Sequence, residues 1–524
     1  MHLSHCRSSK TRLIALTAAT SAVLAFSAQA HNSHHHGHGI SQSGEQKNML
    51  RVGHVDLQGR SAYQPNVITY PDGRTIAFVG THGGTLPNPL NGNTPERNGT
   101  MIIDVTNPRR PKEVYHIPNL QGGTDQMARM CLGSVLTGNP SNRNVYLMRN
   151  FGSGYETWDV TDVRNPQLLA SFYGPSGTPG DVGSTHKHWW ECTTGIAYLP
   201  GRPAGWRQRG IMIVDWRDPT NPPIYLRTFG LPGAQPSGTG DTPPSPHGPI
   251  SVEDAFPDKD RIYIAYGTSS NGVLQIMNRE ELLPAPYGTY LGDSSPDDPT
   301  DDEMTSAQVS RLDMSPDQGG HTSMPVFGLV PRSYQDFTEY KTRDIVLFAS
   351  ESTSNQCVEA PHWSFIVDIT TETKPWNLST MWVDPRAGEK YPRGNYCTRG
   401  ARFGVHSSEE NFNNPYYGKL TFLAYFTGGV RAWDISEPQA PREVAFYVPE
   451  NNDNTVEQCA THPDGQEICK ISYMTNNLEV DDRGYIYIVD RSGSGMDILK
   501  LTESATKSKR HGHDDDDDHG RKDD

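Results

Sequence analysis

The chain has 524 residues, 34% of them hydrophobic and 20% charged, with 50 Gly, 40 Pro and a formal net charge of −15. Glycine and proline are spread along its length and interrupt helical stretches, which favours a turn-rich β protein over a helical bundle. The acidic balance excludes a general nucleic-acid binder, because phosphate-backbone binding needs a Lys/Arg surface to displace counterions.

Residues 1–30 read as a secretory signal: basic Arg7, Lys10 and Arg12, an apolar run from Leu13 to Phe26, and the small-residue site Ser27-Ala28-Gln29-Ala30. That run is too short for a membrane span, and no later segment offers about 18 uncharged apolar residues. The protein is expected to be exported, periplasmic or secreted, with no membrane span. Residues 31–48 are expected to be a flexible tail. Its HNSHHHGHG tract could collect copper, nickel or zinc loosely but has no framework to fix a geometry. Beyond Cys6, which falls in the signal, Cys131, Cys192, Cys357, Cys397, Cys459 and Cys469 are an even number suited to disulfides. Cys459 and Cys469 bracket a short polar loop and are the first expected pair, Cys357 and Cys397 the next.

One phrase recurs through the body of the chain: an apolar β-rich run, an Asp, then a Pro-containing turn. It stands at MIIDVTNPRRP (101–111), TWDVTDVRNP (157–166), MIVDWRDPTNP (212–222), FIVDITTETKP (365–375) and RAWDISEPQAP (431–441), with weaker versions at 274–284 and 496–502. The anchors are residues 104, 159, 215, 278, 368, 434 and 498, which define seven units. Strand-like runs precede each anchor (IAFVG, VYLMRN, IAYLPG, IYIAYG, IVLFAS, LTFLAYF, YIYIVD) and others follow most of them, giving about four strands per unit. Four-stranded repeats are propeller blades. The last unit lacks a fourth strand, and MLRVGHVDL (49–57) is an orphan strand ahead of the first, so pairing the two would close the ring and remove its edges. The expected fold is therefore all-β, a single seven-bladed β-propeller over 49–502 closed by an N-terminal strand, with a disordered His/Asp-rich tail over 503–524. Each anchor Asp is expected to hold an Asx turn. The acidic stretch over 293–303, which ends in PDDPTDDE, is expected to be an exposed, solvated insertion. The anchor phrase resembles the LVIVD repeat of secreted bacterial β-propellers, a likeness that covers most of 49–502 and is informative about architecture rather than function.

The histidines carry the functional signal. His186 and His188 (STHKHWWEC), His247 (SPHGPISVED), His321 (GGHTSMPVF) and His406 (FGVHSSEEN) stand at the starts of innermost strands in blades three to six, and these strands line the central channel. His82 (VGTHGG) ends the second strand of blade one, which antiparallel order returns to the same mouth. His186 and His188, two apart, are expected to face the same way in a strand. The six are candidate metal ligands, and all-nitrogen ligation suits copper first, then zinc or iron. Glu253 and Glu410, reached by counting in twos from His247 and His406, and Glu351, after the second strand of blade five, are candidate proton-transfer groups. Arg129 and Arg402, at innermost-strand starts, are placed to neutralise an anionic substrate. Trp189 and Trp190 are expected in the core. No nucleophile elbow, phosphate-cradling loop or zinc-protease helix motif occurs.

The arrangement of His residues around one inner mouth resembles exported copper propellers, the group that includes nitrous oxide reductase, thiocyanate dehydrogenase and the selenium-binding methanethiol oxidase proteins. The resemblance implies a metal-dependent oxidoreductase acting on a small sulfur- or nitrogen-containing molecule. The competing reading is a non-catalytic propeller that uses the same mouth to bind a protein, a glycan or a metal ion.

Overall fold

A computed structural model describes residues 45–119, 123–268, 270–334 and 341–506. The expected signal, the HNSHHHGHG tract and the terminal Asp-rich run lie outside the described residues. Among those described, most strands form successive antiparallel sheets of four or five strands in chain order, the last two joined as one nine-stranded sheet through Phe426 and Thr475. The first is Ala62–Thr69, Thr75–Thr81, Gly99–Asp104 and Lys112–Pro118, and the second Ala128–Leu132, Val145–Asn150, Tyr155–Asp159 and Gln167–Phe172. The third has a broken inner strand, Val182–Gly183 and Trp189–Trp190, both paired with Ile196–Pro203. The fourth to seventh begin with Pro246–Ser251, Gly320–Leu329, Phe403–Ser408 and Thr475–Val480. These leading strands adjoin one another in sequence, and Thr475–Val480 adjoins Ala62–Thr69, so the sheets form a propeller around a channel lined by their first strands.

The recurring phrase has a definite local structure. In each of the first six sheets the pairing of the third strand with the fourth shifts register at a bulge just before the anchor. The anchor side chain then closes a turn. Asp104, Asp159, Asp215, Asp368 and Asp434 each accept the backbone N–H two residues on, at 2.8–3.0 Å, and Asn278 accepts that of Glu281 at 3.0 Å. The bulge bends the outer strand and the Asx turn fixes its connection, so the phrase encodes blade geometry. Trp189 and Trp190 are buried, 6% and 2% exposed.

The orphan strand, Met49–Val55, pairs antiparallel with Met496–Leu501 and completes the seventh sheet. Glu45–Lys47, expected to belong to the flexible tail, instead add a fifth strand outside Arg442–Val448, held where Glu45 meets Arg393 and Arg399, each at 3.1 Å. Glu503–Thr506, also expected in a tail, form a short helix. The acidic insertion is mostly exposed but ordered: Thr300 and Glu303 make a capping box on Asp301–Thr305, and Pro296 and Asp297 accept from Thr228 N and Trp206 Nε1 of the third sheet. Disulfides join Cys131 to Cys192, Cys357 to Cys397 and Cys459 to Cys469, as befits an oxidising compartment. Among the described residues no helix is long and apolar enough to cross a membrane.

Closure of the ring carries a titratable cross-strand pair. His54 lies opposite Asp497, with Nδ1 2.7 Å from its carboxylate and Nε2 2.9 Å from Asp56. Burial works against the charged ring, and the two carboxylates outweigh it, raising His54 to about 9. A folded-state pKa above the unfolded one stabilises fully below about pH 6.5, and the benefit fades as pH rises through about 9. His54→Gln should therefore lose stability in urea melts at about pH 6, by no more than about 3 kcal/mol given the ring's partial exposure, and match wild type above about pH 9. A pH-independent difference would contradict this.

Candidate metal centre

The channel mouth is built by five irregularities of the same kind. The inner strands of the first, fourth, fifth, sixth and seventh sheets each shift register near their start, between Ala62 and Pro65, Pro246 and Gly248, Gly320 and Thr322, Phe403 and Ser407, and Thr475 and Leu478. The residues inside those shifts include Tyr63, His247, His321, His406 and Asn476. A bulge leaves its extra residue out of the ladder and re-aims the side chain, here into the channel. Backbones approach closely at this end: a Cβ at Gly319 would fall 1.2 Å from the Gly267 carbonyl oxygen.

Imidazoles from neighbouring blades consequently form an arc. Ring centroids lie 4.2 Å apart for His186 and His247, 4.5 Å for His247 and His321, and 4.0 Å for His321 and His406. Tyr63 stands across the channel, its hydroxyl 2.7 Å from His321 Nε2 and 3.4 Å from His186 Nε2, and its ring is 5.1 Å from that of His82. Potential ligand atoms of His186, His247 and His321 all lie within 4.8 Å of one another, and so do those of His321, Glu351 and His406.

Backbone acceptors set the tautomers. His186 Nδ1–H donates to the His247 carbonyl at 3.1 Å and His406 Nδ1–H to the Asn476 carbonyl at 2.7 Å. Ser61 Oγ donates to the Arg491 carbonyl at 2.7 Å, so it accepts from His82 Nδ1–H at 3.1 Å. In His82 and His186 Nε2 keeps its lone pair. Burial holds His82, His186 and His321 well below the ordinary imidazole range and His247 down at about 3, so the rings are neutral. Glu351 is ionised: burial opposes this, but His406, His247 and Arg402 outweigh it and hold the carboxyl below the usual range. His406 Nε2 lies 3.5 Å from this carboxylate, and His82 Nε2 and His321 Nδ1 are buried with no hydrogen-bond partner among the described residues. Buried ring nitrogens without partners beside an ionised carboxylate fit a bound cation, and neutral imidazoles with tautomers fixed by carbonyls are the usual state of metal ligands. The cluster could hold a metal ion.

Other candidates go elsewhere. His188 does not join the cluster: Nε2–H donates to the Met148 carbonyl at 3.2 Å and the ring packs edge-on against Tyr155. Residues 184–188 are not in a strand, so spacing by two does not put its ring beside that of His186. Glu253 lies past the end of its strand, 3.9 Å from Arg279. Glu410 enters the channel beyond the imidazoles, paired with Lys187 and, at 3.0 Å, with Arg129, whose guanidinium covers the Trp189 ring at 3.9 Å. Arg129 is thus tied up across the channel rather than offered at the His mouth. Arg402 is there, 3.3 Å from Glu351.

Three residues of this mouth escape sequence reasoning. Tyr63 occupies the strand-start position of His247, His321 and His406 in the first sheet. Arg491 follows a second strand, the position His82 and Glu351 hold in other blades. Its guanidinium has no hydrogen-bond or ion-pair partner among the described residues, and burial and Arg402 lower it to about 10. Arg209 precedes a third strand and donates to the Ser184 and Pro246 carbonyls at 2.8 and 2.9 Å. With His247 and Thr268 it lines a cavity of about 620 Å³ at the edge of the cluster.

No family profile and no curated protein matches the chain. Among solved structures, the chain is similar to the propeller of Dos1 (11% identity, 87% of this chain and 96% of that one, TM-score 0.41). It is also similar to hydrazine synthase from Kuenenia stuttgartiensis (10%, 86% and 97%, 0.43) and to the periplasmic gluconolactonase PpgL from Pseudomonas aeruginosa (9%, 80% and 96%, 0.40).

Proposed function

We propose that this protein is an exported, metal-dependent propeller enzyme, an oxidoreductase that acts on a small anionic molecule at the His-lined mouth. The observation that carries the reading is the convergence of three buried, neutral imidazoles, His186, His247 and His321, from three blades onto ligand positions within 4.8 Å of one another. His406, Glu351 and His82 border the same space. Copper suits this donor set first, with zinc or iron next. A copper ion bound there would supply one-electron chemistry that side chains lack. The chain's own groups do the rest. Arg491, Arg402 and Arg209 draw an anion to the mouth, offset in part by Glu351. Tyr63 and Glu351, which accepts from Thr268 Oγ1 at 3.1 Å, are the groups placed to hold or move a proton. The three disulfides support the exported, periplasmic or secreted setting.

Two results test the proposal. Protein lacking both His-bearing tails should retain about one equivalent or more of transition metal on elemental analysis. His186→Ala, His247→Ala and His321→Ala should each fall below about half an equivalent, while His188→Ala keeps its metal. Equal losses in all four, or none, would refute the centre. Arg491→Gln should weaken binding of a small inorganic anion about tenfold without changing metal content, and the difference should shrink as salt rises. Unchanged anion binding would remove the substrate assignment.

A further inference from the structure

The inner strands end at a second opening of the channel, far from the imidazoles. In the sixth blade His406 and Glu410 are four residues apart, about 13 Å along an extended chain. At this end lies a cavity of about 440 Å³ walled by Asn66, Arg129, Trp189, Glu410, Phe412 and Glu479, within the usual size of small-molecule sites. Its polar groups are not balanced among themselves. Glu410 is satisfied by Lys187 and Arg129. Glu479 is buried, and it accepts only neutral donors: Val67 N–H at 2.9 Å and Asn66 Nδ2 at 2.6 Å. Nearby Glu409 likewise accepts only from Asn411 N at 3.0 Å and Asn414 Nδ2 at 3.1 Å. Neither carboxyl has a cation within ion-pair distance among the described residues.

The second observation is Asn66. Its amide nitrogen is spent on Glu479, and its Oδ1, on a side chain 4% exposed in the cavity wall, has no partner. An orphaned acceptor beside a carboxyl with no direct ion-pair partner among the described residues calls for a donor that also carries positive charge. A bare Ca²⁺ ion fits poorly, since it takes six to eight oxygens and this pair offers too few. An ammonium group fits, with three N–H donors on one centre.

We propose that this opening is a second ligand site, taking a small molecule whose primary ammonium group donates to Glu479 and to Asn66 Oδ1 while its organic part lies against Trp189 and Phe412. The site is independent of the metal centre and goes beyond the function proposed above. Its pH response follows from the groups that face Glu479: Arg129 from the second blade favours ionisation, and Glu409 and Glu410 from the sixth oppose it. With burial, the balance puts Glu479 at about 7. Ammonium binding requires the ionised form and so weakens as pH falls through neutrality.

The test is titration of the full-length protein with n-butylammonium chloride at constant ionic strength, followed by tryptophan fluorescence, with tetramethylammonium and Ca²⁺ as parallel probes. Saturable binding of n-butylammonium is expected at about pH 8.5, with several-fold loss at about pH 6. Tetramethylammonium, which has no N–H, and Ca²⁺ should bind at least about tenfold more weakly. Glu479→Gln and Asn66→Ala should each cost about tenfold, and the second keeps the test decisive if the first does not fold. Absence of saturable binding, equal binding of tetramethylammonium, preference for Ca²⁺, or wild-type affinity in Asn66→Ala would each overturn the proposal.

Discussion

The site depends on one backbone constraint: inner strands that start on a bulge at the channel mouth. A regular strand alternates its side chains between two faces, so a ring of such strands would present few groups to the axis at any one level. The bulges at Tyr63, His247, His321 and His406 turn one side chain per blade inward at the same height. Ring closure then does what no local segment could, bringing residues hundreds of positions apart into contact, as where the Tyr63 hydroxyl meets His321 at 2.7 Å. Once there, the rings are cut off from water and lose their charge, so burial that would be costly for a charged group leaves nitrogens that could hold a metal ion.

The two ends of the channel have opposite electrostatics. Three arginines and Glu351 lie around the imidazoles, while at the other end Glu409 and Glu479 have no cation within ion-pair distance among the described residues. Between them Lys187, Glu410 and Arg129 form a buried chain of charge from three blades across the axis. Such a chain is weak evidence for stability, because desolvation offsets most of its attraction, but removing one member would strand the others.

Much of the architecture was legible in the sequence because it is written locally and repeated. The anchor Asp, the run before it and the turn after it recur in register, and the orphan strand at 49–57 is called for by a last unit short of one strand. The short loop between Cys459 and Cys469 made their pairing readable for the same reason. The site was legible only in part. Counting in twos presumes a regular strand. It failed at His188, where residues 184–188 leave the ladder, and at Glu253, which lies beyond its strand's end. Arg129 was placed at the correct blade but not the correct depth, since its partner Glu410 comes from the far side of the ring. Tyr63, Arg491 and Arg209 carry no motif. The first two become visible only when equivalent positions are compared blade by blade, and bulges hide that equivalence until the register is known.

The most direct test of the central claim, that imidazoles from separate blades share one ion, is X-ray absorption spectroscopy on tail-free protein loaded with one equivalent of copper. The account predicts a first shell dominated by about three nitrogen scatterers at about 2 Å with the outer-shell pattern of imidazole. A shell of oxygen scatterers, or a single imidazole, would contradict it.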